Sequence, residues 1–173
     1  MPDEGAHVKR VLVIDDEPAV RILICEFLKM GGYHADAATS VQEAMQLFYD
    51  NNYELITLDF RMPDMDGGRL HGFLSRQYGH GQYISELLPQ RLPPVLIVTG
   101  CASDPAVQAL KFGENVVGII EKPLSYETFS AAVRHILLRA EERRITRQKA
   151  LACLQHRIIA PGHRRPKPAA NQA

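Results

Sequence analysis

Val11-Leu12-Val13-Ile14-Asp15-Asp16-Glu17-Pro18 decides the reading of this chain: four apolar, mostly β-branched residues run straight into two carboxylates. A run this short, with no polar alternation, suits a strand buried on both faces, the pattern of a parallel sheet covered by helices. The same pattern recurs at Leu55-Ile56-Thr57-Leu58, ending in Asp59, and at Val95-Leu96-Ile97-Val98, ending in Thr99. A fourth run, Val116-Val117-Gly118-Ile119-Ile120, leads into Glu121-Lys122-Pro123. Tyr33 to Ala38 completes the set, although its own strand signal is weak.

Helical patterns separate these runs. Pro18 near a start, Val20, Leu23, Ile24, Phe27 and Leu28 at three-and-four spacing, and the stop Gly31-Gly32 describe the first. Ser40-x-x-Glu43 is a capping box, expected to satisfy a free amide at each end of the pair, before Ala44, Met45, Leu47 and Phe48. Asp104-Pro105 opens another helix. Ser125 caps the last, whose Phe129, Ala132, Val133, Ile136, Leu137 and Ala140 form one apolar stripe. Parallel neighbours need crossovers, and these are right-handed. The expected architecture is therefore α/β: a doubly wound, five-stranded parallel sheet of order 2-1-3-4-5, with ligands at the carboxyl ends of the strands.

With 173 residues and 46% hydrophobic content, the chain can bury an ordinary core without disulfide or metal staples. Cys25, Cys101 and Cys153 are odd in number and have no partner at metal-ligand spacing, which points to a reducing compartment, by default the cytoplasm. Met1-Pro2-Asp3-Glu4 is acidic where an export signal is basic, and no apolar run approaches the roughly 20 residues of a membrane span. Net charge is zero but unevenly spread: residues 1–140 carry 12 Lys/Arg against 18 Asp/Glu, and residues 141–173 carry 8 against 2. The basic end reads as a solvated helix and tail rather than a nucleic-acid site.

The sheet order brings Asp15, Asp16, Asp59, Thr99 and Lys122 to one rim. Three crowded carboxylates repel by several kcal/mol unless something offsets them. A divalent cation together with Lys122 balances them, and a few oxygen ligands open to water suit Mg²⁺. A metal so placed beside a carboxylate invites phosphoryl chemistry, with Asp59 as nucleophile, Lys122 pairing with one phosphoryl oxygen and Thr99 donating to another.

Val13-Ile14-Asp15-Asp16-Glu17-Pro18, Leu58-Asp59-Phe60-Arg61-Met62-Pro63-Asp64-Met65-Asp66-Gly67, Val98-Thr99-Gly100 and Glu121-Lys122-Pro123 together resemble the receiver domain of two-component response regulators, over roughly Lys9 to Ala140. The resemblance implies a flavodoxin-like fold and a signalling protein rather than a metabolic enzyme. Asp59 is then the phosphoacceptor, and Mg²⁺ is held by Asp15, Asp16, Asp59 and the backbone carbonyl of Arg61. It further implies a histidine kinase or phosphotransfer protein as donor, a cis Lys122-Pro123 bond, and output through the face of the fourth helix, fifth strand and fifth helix. A downstream protein target, or a second copy docking through that face or the extended last helix, would receive the signal. Nucleic acid and membrane are not expected partners.

Three features depart from the family. Ile119 stands where it commonly has Tyr or Phe as a rotamer switch and can neither swing a ring nor offer a hydroxyl, so the family's usual coupling of Thr99 to the surface is not expected here, with Tyr126 or Phe112 as the nearby alternatives to it. Tyr78 to Pro94 is an insertion (78–94), within which Gln82 to Leu88 reads as a short helix packing Tyr83, Ile84, Leu87 and Leu88 locally. One surplus residue between Thr99 and Lys122 predicts an irregular approach to the fifth strand. Arg61 and Cys101, two beyond Asp59 and Thr99, flank the path of hydrolytic water in this family, so their bulk and charge should tune phosphoryl lifetime.

The expected organisation is an N-terminal arm (1–8), a receiver (9–140) and a basic helix extension with disordered tail (141–173). The apolar stripe is expected to run on through Leu138, Ile145, Leu151 and Leu154. Too few residues follow Lys122-Pro123 for an output domain, so a stand-alone receiver is expected. A haloacid-dehalogenase-like phosphohydrolase is disfavoured, since Arg61 replaces its second aspartate. A degenerate receiver, or a module whose basic tail contacts nucleic acid, remains as an alternative.

Overall fold

A computed structural model of the chain describes residues 8–63, 72, 92–112 and 115–159, the last six of these by backbone alone. The strands are β1 (Arg10–Ile14), β2 (His34–Ala38), β3 (Leu55–Asp59), β4 (Val95–Thr99) and β5 (Val116–Glu121). The helices are α1 (Pro18–Met30), α2 (Val41–Asp50), α3 (Pro105–Ala109) and α4 (Tyr126–Ile159), with a 3-10 turn at Leu110–Phe112. All strand pairs are parallel, and the sheet order is β2-β1-β3-β4-β5. The crossover helix needed between β3 and β4, the short helix expected within 78–94 and the tail expected beyond Ile159 fall largely on residues outside those described.

Alternation along each strand splits the core in two. Leu12, Ile14, Ile56, Leu58, Val95 and Ile97 pack with Ala44 and Phe48 of α2 and with Val107 of α3. Val11, Val13, Leu55, Leu96 and Val98 pack with Ile24 and Leu28 of α1 and with Phe129, Val133, Ile136 and Leu137 of α4. Burying each of the Val, Leu, Ile and Phe side chains contributes about 1.5–3 kcal/mol. The central strands are thereby pinned, and with them the polar residues at their carboxyl ends.

Local signals set the helix ends. Asp104 Oδ1 accepts from Ala106 N–H at 2.9 Å, and Ser125 Oγ accepts from Thr128 N–H at 3.2 Å. α1 stops where Gly32 adopts φ +82°, a left-handed conformation that favours glycine. The Ser40 cap differs from the expected reciprocal box. Ser40 Oγ accepts from Glu43 N–H, but Glu43 Oε2 returns to the backbone N–H and hydroxyl of Thr39, one residue earlier. Thr39 offers two donors at once, whereas Ser40 N–H would offer one.

The irregularity expected before the fifth strand lies partly within it. Val95 pairs with Val116 and Leu96 with Gly118, so Val117 is bulged out of register and 39% exposed. Asn115, at the entrance, has φ 72°.

The chain divides into two compact units, Met1–Ala140 and Glu141–Ala173. In the second, Arg144 pairs with Glu141 at 2.7 Å and Thr146 Oγ1 donates to Glu142 O. The continuation of the apolar stripe is not buried: Leu138, Ile145 and Leu151 are exposed, and the side chain of Leu154 lies outside the described residues. Leu138 directly follows the buried Leu137, so helical rotation turns it off the packed face. Among the described residues, no helix is long and apolar enough to cross a membrane.

Candidate phosphoacceptor site

β1 carries Asp15 and Asp16 out of its carboxyl end, and β3 ends in Asp59. One carboxylate oxygen from each of the three falls within 4.8 Å of the others. Asp15 and Asp59 are buried, Asp16 half-buried. At an effective dielectric of about 20, each pair of charges at such a distance repels by roughly 3–4 kcal/mol. Among the described residues, the cation set against this is Lys122: its Nζ, at the end of β5, lies 2.9 Å from Asp15 Oδ2 and 2.9 Å from Asp59 Oδ2. Of these two contacts only that with Asp59 has hydrogen-bond geometry, so among the described residues Asp15 Oδ2 is buried without a well-aligned donor.

Titration reflects the same competition. Burial pushes the Asp15 carboxyl above its ordinary value, more than Lys122 and the Glu17 N–H draw it down. Burial alone would lower the Lys122 ammonium, but Asp15 and Asp59 together outweigh it and hold it above its ordinary value. Among the described residues the arrangement is therefore short of positive charge. An oxygen-only donor set, a poorly satisfied buried carboxylate oxygen and a deficit of cation fit one hard divalent ion.

Thr99 is fully buried, and its hydroxyl lies 3.1 Å from Cys101 Sγ while accepting from Cys101 N–H at 3.3 Å. Arg61 donates its backbone N–H to Asp59 Oδ1 at 3.2 Å. Its guanidinium turns to the neighbouring loop, where Nε donates to Cys101 Sγ at 3.1 Å and Nη2 to Asp104 Oδ2 at 2.8 Å. The Lys122–Pro123 peptide bond is cis.

Ile119 is half-buried against the α2 side of the core. Neither of the two nearby aromatic candidates to replace a ring there, Tyr126 and Phe112, is in place. Tyr126 opens α4, which shares a side of the sheet with α1, so its ring meets Phe27 edge-on at 5.4 Å. Phe112 is 92% exposed.

Five parallel strands in this order, with a carboxylate triad and a lysine at one rim, agree with the sequence comparison. The family model for the response regulator receiver domain matches residues 11–134. The chain belongs to that family. Among curated relatives, the regulatory protein VanRB of Enterococcus faecalis is 29% identical over 131 residues, which cover 76% of this chain and 53% of VanRB. The chain spans about half the length, or less, of the curated relatives it matches. Among solved structures, response regulator TrrA of Thermotoga maritima, in complex with Mg(2+)-BeF, is 26% identical with a TM-score of 0.58, covering 75% of this chain and 99% of TrrA. A CheY-like receiver domain from Methanospirillum hungatei shares the fold at 20% identity and a TM-score of 0.66, covering 79% of this chain and 99% of its own.

Sequence reading singled out every member of the acidic cluster and the lysine. It took Asp104 only as a helix cap and missed its second role as partner to Arg61. A signal was present: an arginine beside an acidic pocket, with a carboxylate five residues beyond Thr99 on the adjoining loop.

Proposed function

We propose that the chain is a phosphoacceptor signalling domain, receiving a phosphoryl group on Asp59 from a histidine kinase or phosphotransfer protein and passing the signal on by protein contact. The observation that carries this reading is the single ammonium of Lys122 shared between Asp15 and Asp59 in a pocket of three carboxylates. Such a pocket is unbalanced by itself and gains from a divalent cation and a phosphoryl group together.

In the transfer, a carboxylate oxygen of Asp59 forms the new bond to phosphorus as the bond from phosphorus to the donor breaks, and the departing donor keeps the electron pair. Asp15, Asp16, Asp59 and the backbone carbonyl of Arg61 are the residues that would hold Mg²⁺, which neutralises charge on the transferring oxygens when bound. Lys122 Nζ turns a hydrogen towards one phosphoryl oxygen. Thr99 exchanges Cys101 Sγ for another. TrrA, solved in complex with Mg(2+)-BeF, supports this assignment as a relative at 26% identity.

The working organisation is an arm over 1–8, a receiver over 9–140 and a basic extension over 141–173, acting in the cytoplasm. A downstream protein or a second copy of the chain would read the face formed by α3, β5 and α4. Intact mass after incubation with Mg²⁺ and a small acyl phosphate tests the reading. The parent should gain one phosphoryl group and Asp59→Asn none; no gain in the folded, Mg²⁺-supplied parent would reject it.

A further inference from the structure

We infer that Arg61 and Asp104 form the switch of this domain, in which a phosphoryl group on Asp59 takes the Arg61 guanidinium away from Asp104 and so frees the start of α3. The inference rests on the phosphoacceptor reading of Asp59 and deepens it by naming how the modification leaves the pocket.

Two links run from the pocket to this pair. Arg61 is tied to the acceptor by its own backbone N–H on Asp59 Oδ1. Thr99 is tied to the guanidinium through one sulfur, since Cys101 Sγ lies 3.1 Å from the Thr99 hydroxyl and 3.1 Å from Arg61 Nε. Beyond the guanidinium, Asp104 uses its two oxygens separately: Oδ2 accepts from Arg61 Nη2, and Oδ1 caps α3 through Ala106 N–H. An uninterrupted set of contacts thus joins the acceptor to the first turn of α3.

Phosphorylation disturbs this set at both origins. The group replaces the single charge of the Asp59 carboxylate by nearly two and brings three strong acceptor oxygens, which compete with one carboxylate for a planar guanidinium. The pair it must displace is weak, because the Arg61 side chain is 67% exposed and exposed ion pairs contribute little. If Thr99 turns to the phosphoryl group, Cys101 Sγ also loses its hydroxyl neighbour. The route needs no ring at Ile119, and Tyr126 and Phe112 are committed elsewhere or exposed.

The test uses the full chain with Mg²⁺ and a small acyl phosphate, reading phosphoryl gain by intact mass and amide hydrogen exchange over residues 104–112. Asp104→Asn retains a side-chain oxygen for the cap but lacks the charge. Arg61→Gln removes the same pair from the other side while keeping the backbone groups. In the parent, phosphorylation should speed exchange across 104–112 by at least about threefold. In both variants, exchange should be fast before phosphorylation and change by less than about 1.5-fold after it, with the phosphoryl group still gained by Asp104→Asn. Phosphorylated parent with unchanged exchange, or a variant showing the parent's full response, would overturn the switch alone. Absence of phosphoryl gain in the parent would overturn the acceptor reading and the switch with it.

Discussion

Lys122 reaches across 63 residues of sequence to set its ammonium 2.9 Å from Asp59 Oδ2. The side chain is 16% exposed, so this is a partly buried ion pair, and its other neighbour, Asp15, is 1% exposed. In such a setting, the cost of losing one partner is dominated by the charge left behind.

Replacing Lys122 with Met should therefore destabilise the fold by about 3 kcal/mol in metal-free buffer, since two buried carboxylates lose their counter-charge. Added Mg²⁺ should recover a large part of that loss, and more than it adds to the parent. Urea unfolding with and without chelator measures both. An unchanged midpoint in the variant would mean that the carboxylates are solvated well enough to do without the ammonium.

Tyr53 provides a pH-dependent element far from the pocket. Its hydroxyl donates to Asp36 Oδ2 at 2.9 Å, which also pairs with Arg10, and its ring stacks on Phe48 at 6.2 Å. Burial, then Asp36, pushes the phenol well above its ordinary value of 10.0. The folded state thus holds this proton more tightly than the unfolded chain does. Its contribution is complete below pH 10 and is lost as pH rises from there through the folded value. Tyr53→Phe should lose about 1 kcal/mol at neutral pH, with a shallower decline between pH 10 and 11 than the parent. Parallel slopes above pH 10 would exclude Tyr53 as the source.

The cap of α2 makes a smaller prediction. Ser40→Ala removes the acceptor for Glu43 N–H and should cost about 1 kcal/mol. Thr39 N–H, then its hydroxyl, lowers the Glu43 carboxyl below its ordinary value, so this contribution is present above pH 4.5 and is lost as pH falls through the folded value. Glu43→Gln should accordingly flatten the acid limb of the stability curve. A variant whose acid limb matches the parent's would assign that limb to other carboxylates.

These elements differ in how far the chain itself announces them. Val11–Ile14, Leu55–Leu58 and Val95–Val98 are legible because double burial demands unbroken apolar runs, and their polar ends follow directly. Asp104 and Ser125 are legible as caps because the partner amide is two or three residues away. The Arg61–Asp104 pair spans 43 residues and depends on the path of two loops, which no local pattern encodes. Tyr126 illustrates the same limit: nearness in sequence made it a candidate for the switch ring missing at Ile119, whereas the side of the sheet occupied by α4 directs the ring to Phe27. The surplus residue before Lys122 was countable, but its place within β5 rests on packing.

Gly118 shows why the extra residue is accommodated there. A methyl group at this position would come within 3.2 Å of Leu96 Cδ1, and Leu96 is itself 1% exposed. The bulge at Val117 moves Gly118 into register with Leu96, so the position crowded by the Leu96 side chain is one where no side chain is required. Gly118→Ala should cost about 1 kcal/mol as Leu96 yields a few tenths of an ångström, and Gly118→Val about 2–3 kcal/mol because no such small movement admits a branched side chain. Leu96→Ala opens space on the same contact, so in that background the penalty for Gly118→Ala should largely disappear. A double-mutant cycle by urea unfolding checks this. Additive penalties would show that backbone conformation at the bulge, rather than contact with Leu96, demands the glycine.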